Sequence, residues 1–224
     1  MLDERLSLAA RLYQPCDLGA DIGTDHGLLP CHLLKANICK RMIFADVSPK
    51  ALSHARDQAA RQNLTDRAVF ACADGLDALT QPCGCVSVMG MGGETIAGIL
   101  TRGRDKLHNA VLVLSAHTDL HLVRDAVQQI GYHFVREELC RAAGRFYVVW
   151  RAEPGEAPMS DEDVRYGTLL RQPNALTRDY IAWRIAVLTD RLNGLLSARE
   201  ADHDAIGAIR RDIAYYRDHM EEQA

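Results

Sequence analysis

The chain has 224 residues, 48% hydrophobic and 25% charged, with a formal net charge of −4. That length buries one large core, or a domain of about 150 residues plus an appendage. Nothing in the charge balance marks a bulk polycation, so a nucleic-acid partner would have to meet a local basic patch. No apolar run approaches the ~20 residues that span a bilayer.

The opening "MLDERLSLAARLY" mixes acid and base and reads as an amphipathic helix, not a signal peptide, so a cytoplasmic location with no membrane contact is expected. "DLGADIG" (17–23) is a strand candidate, followed by a helix from Leu28 to Asn37. "RMIFADV" (41–47) is the next strand, and Pro49 opens the helix after it. "AVFACAD" (68–74), "CVSVMG" (85–90) and "AVLVLSA" (110–116) continue the series, with helices starting at Glu94 and Leu120. Runs apolar almost throughout are those of strands buried on both faces of a parallel sheet, and the spacing fits βαβ units. "YHFVREEL" and "RFYVVWRA" leave no room for a helix between them and predict an antiparallel hairpin at the sheet edge. Five βα units closed by a hairpin give an α/β fold with the Rossmann-like, class I methyltransferase sheet.

After Arg151 the composition shifts. "AEPGEAPMSDED" reads as a linker, and the rest as helix without strand signal. Tyr180, Trp183, Val187, Leu188, Leu192 and Leu195 recur at helical spacing, as do Ile206, Ile209, Ile213 and Tyr216. Two antiparallel helices packed as a hairpin satisfy both stripes. The division expected is therefore 1–153 for the sheet domain and 154–224 for a helical arm. The seven cysteines are scattered and odd in number, which suits reduced core residues. Cys83 and Cys85 lack two further ligands at metal spacing, so no metal is expected.

The loops after the strands describe the ligand. In "ADIGTDHGLLP", Asp21 ends the first strand, and Gly23, Asp25 and Gly27 fall in a D-x-G-x-D-x-G frame. Neither G-x-x-x-x-G-K-S/T nor G-x-G-x-x-G is met. A carboxylate facing a pyrophosphate would cost about 1 kcal/mol or more, so the ligand should be cationic or zwitterionic there. S-adenosylmethionine fits, with an ammonium, a sulfonium and no phosphate. Asp46, at the tip of the second strand, can accept both ribose hydroxyls. Asp74 and Gly75 form an acidic tip able to accept from an adenine amino group, and Gly90, Met91, Gly92 and Gly93 leave room for a close-approaching substrate.

"ADIGTDHGLLP", "DGL" (74–76) and "GMGG" (90–93), in this order, resemble the signatures of the bacterial tRNA (adenine(22)-N1)-methyltransferases. "LVRDAVQQIGY", "RFYVVW" and "RYGTLL" are similar to later segments of that family, so the resemblance spans nearly the whole chain. The Asp25-His26 pair is its distinguishing part. The resemblance implies S-adenosylmethionine as cofactor, tRNA as substrate, N1 of an adenine at position 22 as acceptor, and His26 among the cofactor contacts. It also associates the aspartate matching Asp25 with activity, and Asp25 is the catalytic candidate. The family often has Tyr where Leu28 stands, which leaves His117 and Tyr147 as aromatic candidates beside the target base. Arg178, Arg184, Arg191, Arg210 and Arg211 of the arm are the candidate tRNA contacts, in a chain expected to be a monomer, with a homodimer through the arm left open. The alternatives are a methyltransferase acting on another RNA, a protein or a small molecule, and a cofactor-binding module without catalysis.

Overall fold

The computed structural model describes residues 2–172, 174–198 and 202–221. Two compact units divide the chain, Met1–Gly167 and Thr168–Ala224. The boundary expected at 153/154 lies within the last strand of the first unit.

The first unit opens with helix α1 (Glu4–Leu12), whose N-cap Asp3 accepts the Leu6 amide at 2.8 Å. Parallel strands β1 (Cys16–Ile22), β2 (Cys39–Asp46), β3 (Ala68–Cys72), β4 (Cys85–Met91) and β5 (Val111–Ala116) follow, close to their expected spans. Between or after them come α2 (Leu28–Lys35), α3 (Pro49–Arg61), α4 (Gly93–Gly103) and α5 (Leu120–Gln129). Ser48 caps α3 by accepting the Ala51 amide, and Pro49 sits at its first turn as the sequence demands. The sheet closes with β6 (Tyr132–Ala142) and β7 (Arg145–Pro154) in the order β3-β2-β1-β4-β5-β7-β6.

The hairpin is longer than its two apolar runs suggest. Most of the connection between those runs, residues 140–144, belongs to strand, because Ala143 and Gly144, both with positive φ, turn the chain in two residues. The returning strand β7 pairs antiparallel with β5, so the hairpin forms one edge of the sheet. α1, α2 and α3 pack as neighbours on one face, and α4 and α5 pack on each other beyond β4. β5 is buried along its whole length, as expected of a strand covered on both faces. Parallel register then aligns the carboxyl ends: Asp21 lies opposite Phe44 on one side and Ser87 on the other.

One buried ion pair ties the hairpin to the segment after β7. Arg124 of α5 and Glu137 of β6 have side chains only 1% and 7% exposed. Arg124 Nε and Nη2 donate to Glu137 Oε1 at 3.2 and 2.8 Å, and the Trp150 indole donates to the same oxygen at 2.8 Å. Arg124 Nη1 also donates to the Val164 carbonyl at 3.2 Å, which anchors the short helix α6 (Asp161–Tyr166). α6 therefore belongs with the sheet unit.

The second unit holds α7 (Ala175–Leu196) and α8 (His203–Glu221), packed on one another. Tyr180, early in α7, meets Tyr216, late in α8, at 6.4 Å between ring centroids, so the two helices run antiparallel. Ile206, Ile209, Ile213 and Tyr216 are buried as the stripe predicts. On α7 the stripe holds at Tyr180 and Leu188 but not at Val187, which is 39% exposed. Ile181, outside the expected stripe, is buried instead. Among the described residues no helix is long and apolar enough to cross a membrane.

Removing Glu137 leaves a buried guanidinium without its counter-charge. Glu137→Ala is expected to lower unfolding free energy by about 3–5 kcal/mol, and Glu137→Gln by clearly less. Urea unfolding of the two variants beside the parent chain checks both the size and the order.

Candidate functional site

At the carboxyl ends of β1, β2 and β4 lies an open cleft of about 530 Å³, lined among others by Asp21, Gly23, Asp25, His26, Asp46, Gly90 and Met91. A crevice outside the carboxyl ends of the strands is where open α/β sheets bind ligands. Seven of the eleven loop residues expected at the site meet there. Asp74, Gly75, Gly92 and Gly93 do not line it. Asp74 stands at the tip beyond β3 and accepts from Arg102 Nη2 at 3.3 Å, Gly75 packs against Ile99, and Gly92 is the N-cap of α4.

The loop after β1 is shaped by backbone approach. Gly23 and Thr24 donate to the Ala45 carbonyl at 2.8 and 2.9 Å, which fastens the loop to β2. Gly23 has φ +76°, the left-handed region that favours glycine, and a Cβ there would also displace the Met91 methyl. Asp25 is also left-handed, at φ +43°. Its amide reaches Asp46 Oδ2 at 3.4 Å, while the Ser48 amide donates to Asp46 Oδ1 at 2.8 Å. Asp46 thus joins the two strand tips through its carboxylate.

Asp25 does not cap α2. That helix starts from Gly27, itself left-handed, with no side-chain cap. The Asp25 carboxylate is exposed, with His26 Nε2 3.5 Å away. Thr24 Oγ1 is buried on the cleft wall, near enough to Asp21 to favour its carboxylate form but without a well-formed hydrogen bond among the described residues. An orphan hydroxyl in such a wall is the kind of group a bound ligand satisfies.

The opposite wall comes from elements whose role the sequence does not disclose. Asp3, Arg5 and Leu6 reach the cleft from the start of α1. Arg5 Nη1 lies 3.1 Å from His117 Nε2, so the guanidinium donates and the imidazole accepts as a neutral ring. Burial, and after it the charges of Arg5 and Arg145, hold His117 below the ordinary imidazole pKa, in keeping with that neutral form. The Tyr147 ring meets His117 edge-on at 5.8 Å, and Arg5 lies over Tyr147 at 5.1 Å. Both aromatic candidates therefore come together, with only His117 on the cleft lining. Arg5 could not be placed from sequence, since its position depends on how α1 packs against the hairpin.

Asp21 is 6% exposed and accepts the Ser87 hydroxyl at 2.6 Å. Burial pushes its pKa up to about 6, against the opposing pull of that hydroxyl. A carboxyl with a raised folded-state pKa contributes stability that is full below its unfolded value and lost as pH rises through the folded one. The window here runs from about pH 4 to about pH 6. Asp21→Asn abolishes the titration, so the stability of this variant relative to the parent chain should rise by about 2–3 kcal/mol across that window. Denaturant unfolding at pH 4, 5, 6 and 7 checks the sign; a pH-independent difference contradicts it.

A methyltransferase domain family matches residues 2–150 of the chain. The tRNA (adenine(22)-N(1))-methyltransferase of Bacillus subtilis (strain 168) is 26% identical over 183 residues, which cover 81% of this chain and 75% of the relative. The crystal structure of Streptococcus pneumoniae Sp1610 in complex with S-adenosyl-L-methionine is similar with a TM-score of 0.85 at 26% identity, over 98% of this chain and all of that one. M. capricolum TrmK in complex with S-adenosyl-homocysteine gives a TM-score of 0.83 at 22% identity, over 99% of this chain and 98% of that one, a likeness of fold. With the domain match spanning well over half of its residues and the sheet order and cleft just described, the chain belongs to the methyltransferase domain family.

Proposed function

We propose that this protein transfers a methyl group from S-adenosylmethionine to N1 of an adenine in tRNA, at position 22. The observation that carries the reading is an acidic cleft at the strand ends, Asp21, Asp25 and Asp46 together, in a chain that aligns over most of its length with a curated enzyme of that name. Three carboxylates favour a cationic ligand over a phosphate. S-adenosylmethionine supplies, when bound, a methyl group made electrophilic by its sulfonium.

The residues present fit that ligand. Asp46 offers carboxylate oxygens to ribose hydroxyls at the tip of β2, while Asp74, beyond β3 and engaged by Arg102, would have to reach in from outside the lining to accept from an adenine amino group. Asp21 and the orphan hydroxyl of Thr24 offer acceptors for the methionine ammonium. Gly23 and Gly90, both with positive φ, keep side-chain bulk out of the path.

Adenine N1 carries a lone pair and no proton, so methylation requires no general base. The protein must align the base and manage the positive charge that passes to it. Asp25, exposed at the cleft mouth, faces that charge with a carboxylate. The neutral His117 ring provides a flat wall for the base, held in place by Arg5 and Tyr147. The target base leaves its stack in the tRNA to enter the cleft.

Arg178, Arg191, Arg210 and Arg211 of the second unit are exposed and are assigned to tRNA phosphates. Arg184 lies over the Tyr216 ring at 5.5 Å within the helix pair and has a packing role. Replacing the four exposed arginines with Gln should leave S-adenosylmethionine binding unchanged, weaken tRNA binding, and reduce its salt slope by about 0.7–0.9 for each phosphate no longer neutralised. Filter binding across a salt series measures this, and an unchanged slope returns the arm to a structural role.

Asp25→Asn tests the chemistry, because Asn tolerates the left-handed backbone and keeps the size while losing the charge. The methyl-transfer rate should fall at least about tenfold, or ~1.4 kcal/mol of barrier, with a smaller loss of cofactor affinity. The assay is labelled S-adenosylmethionine with unmodified tRNA, the modified nucleotide being mapped. Near-full turnover by this variant would remove Asp25 from the reaction, and methylation only of protein or metabolite pools would replace the substrate assignment.

A further inference from the structure

His26 has a neighbour that methyl transfer leaves unused. His54, in α3, lies face to face with it, the ring centroids 5.3 Å apart and the planes 13° from parallel. His26 Nε2 is also 3.5 Å from Asp25 Oδ2. One ligand atom from each of Asp25, His26 and His54 lies within 4.8 Å of the other two. No local spacing motif announces this set, since 28 residues separate the two histidines.

Two imidazoles and one carboxylate form a borderline donor set, suited to zinc(II) and its transition-metal neighbours and unlike the all-oxygen sets of magnesium or calcium. Tetrahedral bonds of about 2.0–2.2 Å place ligand atoms about 3.3–3.5 Å apart. The Asp25–His26 pair already stands at that separation, and side-chain rotation of about 1 Å brings in the third ligand. The ligands stand on connected backbone. Asp25 donates its amide to Asp46, and Ser48, which also donates to Asp46, is the N-cap of the helix carrying His54. A hollow of about 300 Å³ lined by His26, Leu28, His54, Asp57, Gln58 and Arg61 adjoins the cluster and has room for the water that completes four-coordination.

We propose that Asp25, His26 and His54 form a zinc(II) site at the mouth of the cleft, and that occupancy of this site shuts off methyl transfer. A metal held there neutralises the Asp25 carboxylate and fixes His26 away from the ligand space. The shut-off rests on the methyl-transfer reading, whereas metal binding does not.

The test uses the full chain stripped of metal by a chelator. Cobalt(II) titration followed by visible absorption, and zinc(II) competition against a chromophoric chelator, read binding without any activity. The parent chain should bind one equivalent saturably, and His54→Ala and His54→Gln should each bind at least about tenfold more weakly. In the tRNA assay, with each protein normalised to its own zinc-free rate, zinc should inhibit the parent chain reversibly, and half-inhibition of the His54 variants should need about tenfold more metal. Equal zinc affinity in parent and His54 variants, as binding through cysteine thiols would give, overturns the site, as does the absence of saturable binding. His54-dependent binding in a chain that methylates no tRNA would uphold the site and overturn its link to methyl transfer.

Discussion

One wall of the cleft is set where the backbone beyond the tips of β4 and β5 comes closer together than a side chain permits. A Cβ on Gly23 would strike Met91 Cε, and one on Gly93 would strike the carbonyls of Thr118 and Asp119. The Gly93 amide donates to the Thr118 carbonyl at 3.0 Å and the His117 amide to Met91 at 2.9 Å, so the β4 and β5 loops are sewn together beyond the last ladder pair. At Gly90, with φ +81°, the β4–β5 register shifts, which turns the strand end outward into the cleft rim. Any side chain at Gly93 would wedge these two loops apart, and with them the wall that faces the carboxylates of β1 and β2.

Bringing carboxylates together has an electrostatic cost, and the structure offsets it unevenly. Asp21 is buried and Asp46 is near enough to oppose its ionisation, while Arg5 favours it. Arg5 comes from α1, which also packs on β6 and β7. The helix that precedes the sheet therefore supplies the cation that balances the acidic loop, and the same guanidinium fixes the neutral tautomer of His117. The hairpin enters the site by the same route, since Tyr147 of β7 backs both Arg5 and His117.

The legible part of the fold rests on periodicity and local chemistry. The five parallel strands, Ser48-Pro49 at the start of α3, and the acids at the tips of β1 and β2 are local features, and each lies where its residues require. The tight Ala143-Gly144 turn is obscured in the sequence because Ala143 adopts a positive φ that alanine rarely takes. Arg5 and the Arg124–Glu137–Trp150 group are out of reach for another reason. Their partners are distant in sequence, and a polar residue whose partner arrives by packing looks like any other surface residue. Val187 on α7 is exposed although it shares the stripe's spacing, because spacing gives the direction of a helical face and not its buried width.

Asp25 shows where reading a loop residue by type stops. An aspartate three residues before a helix suggests a cap, but Gly27 takes the cap position and leaves the carboxylate unused by the backbone. A left-handed, non-glycine residue costs about 1 kcal/mol or more relative to glycine, and the 3.4 Å contact of its amide with Asp46 returns little of that. The fold thus holds a strained residue whose charged group faces open space beside His26, with no structural duty that glycine could not perform. An exposed carboxylate whose one close neighbour is an exposed imidazole attracts whatever cation enters the cleft. The transient charge on a methylated base and a metal ion shared with His26 and His54 are two such cations, and they cannot occupy that carboxylate together.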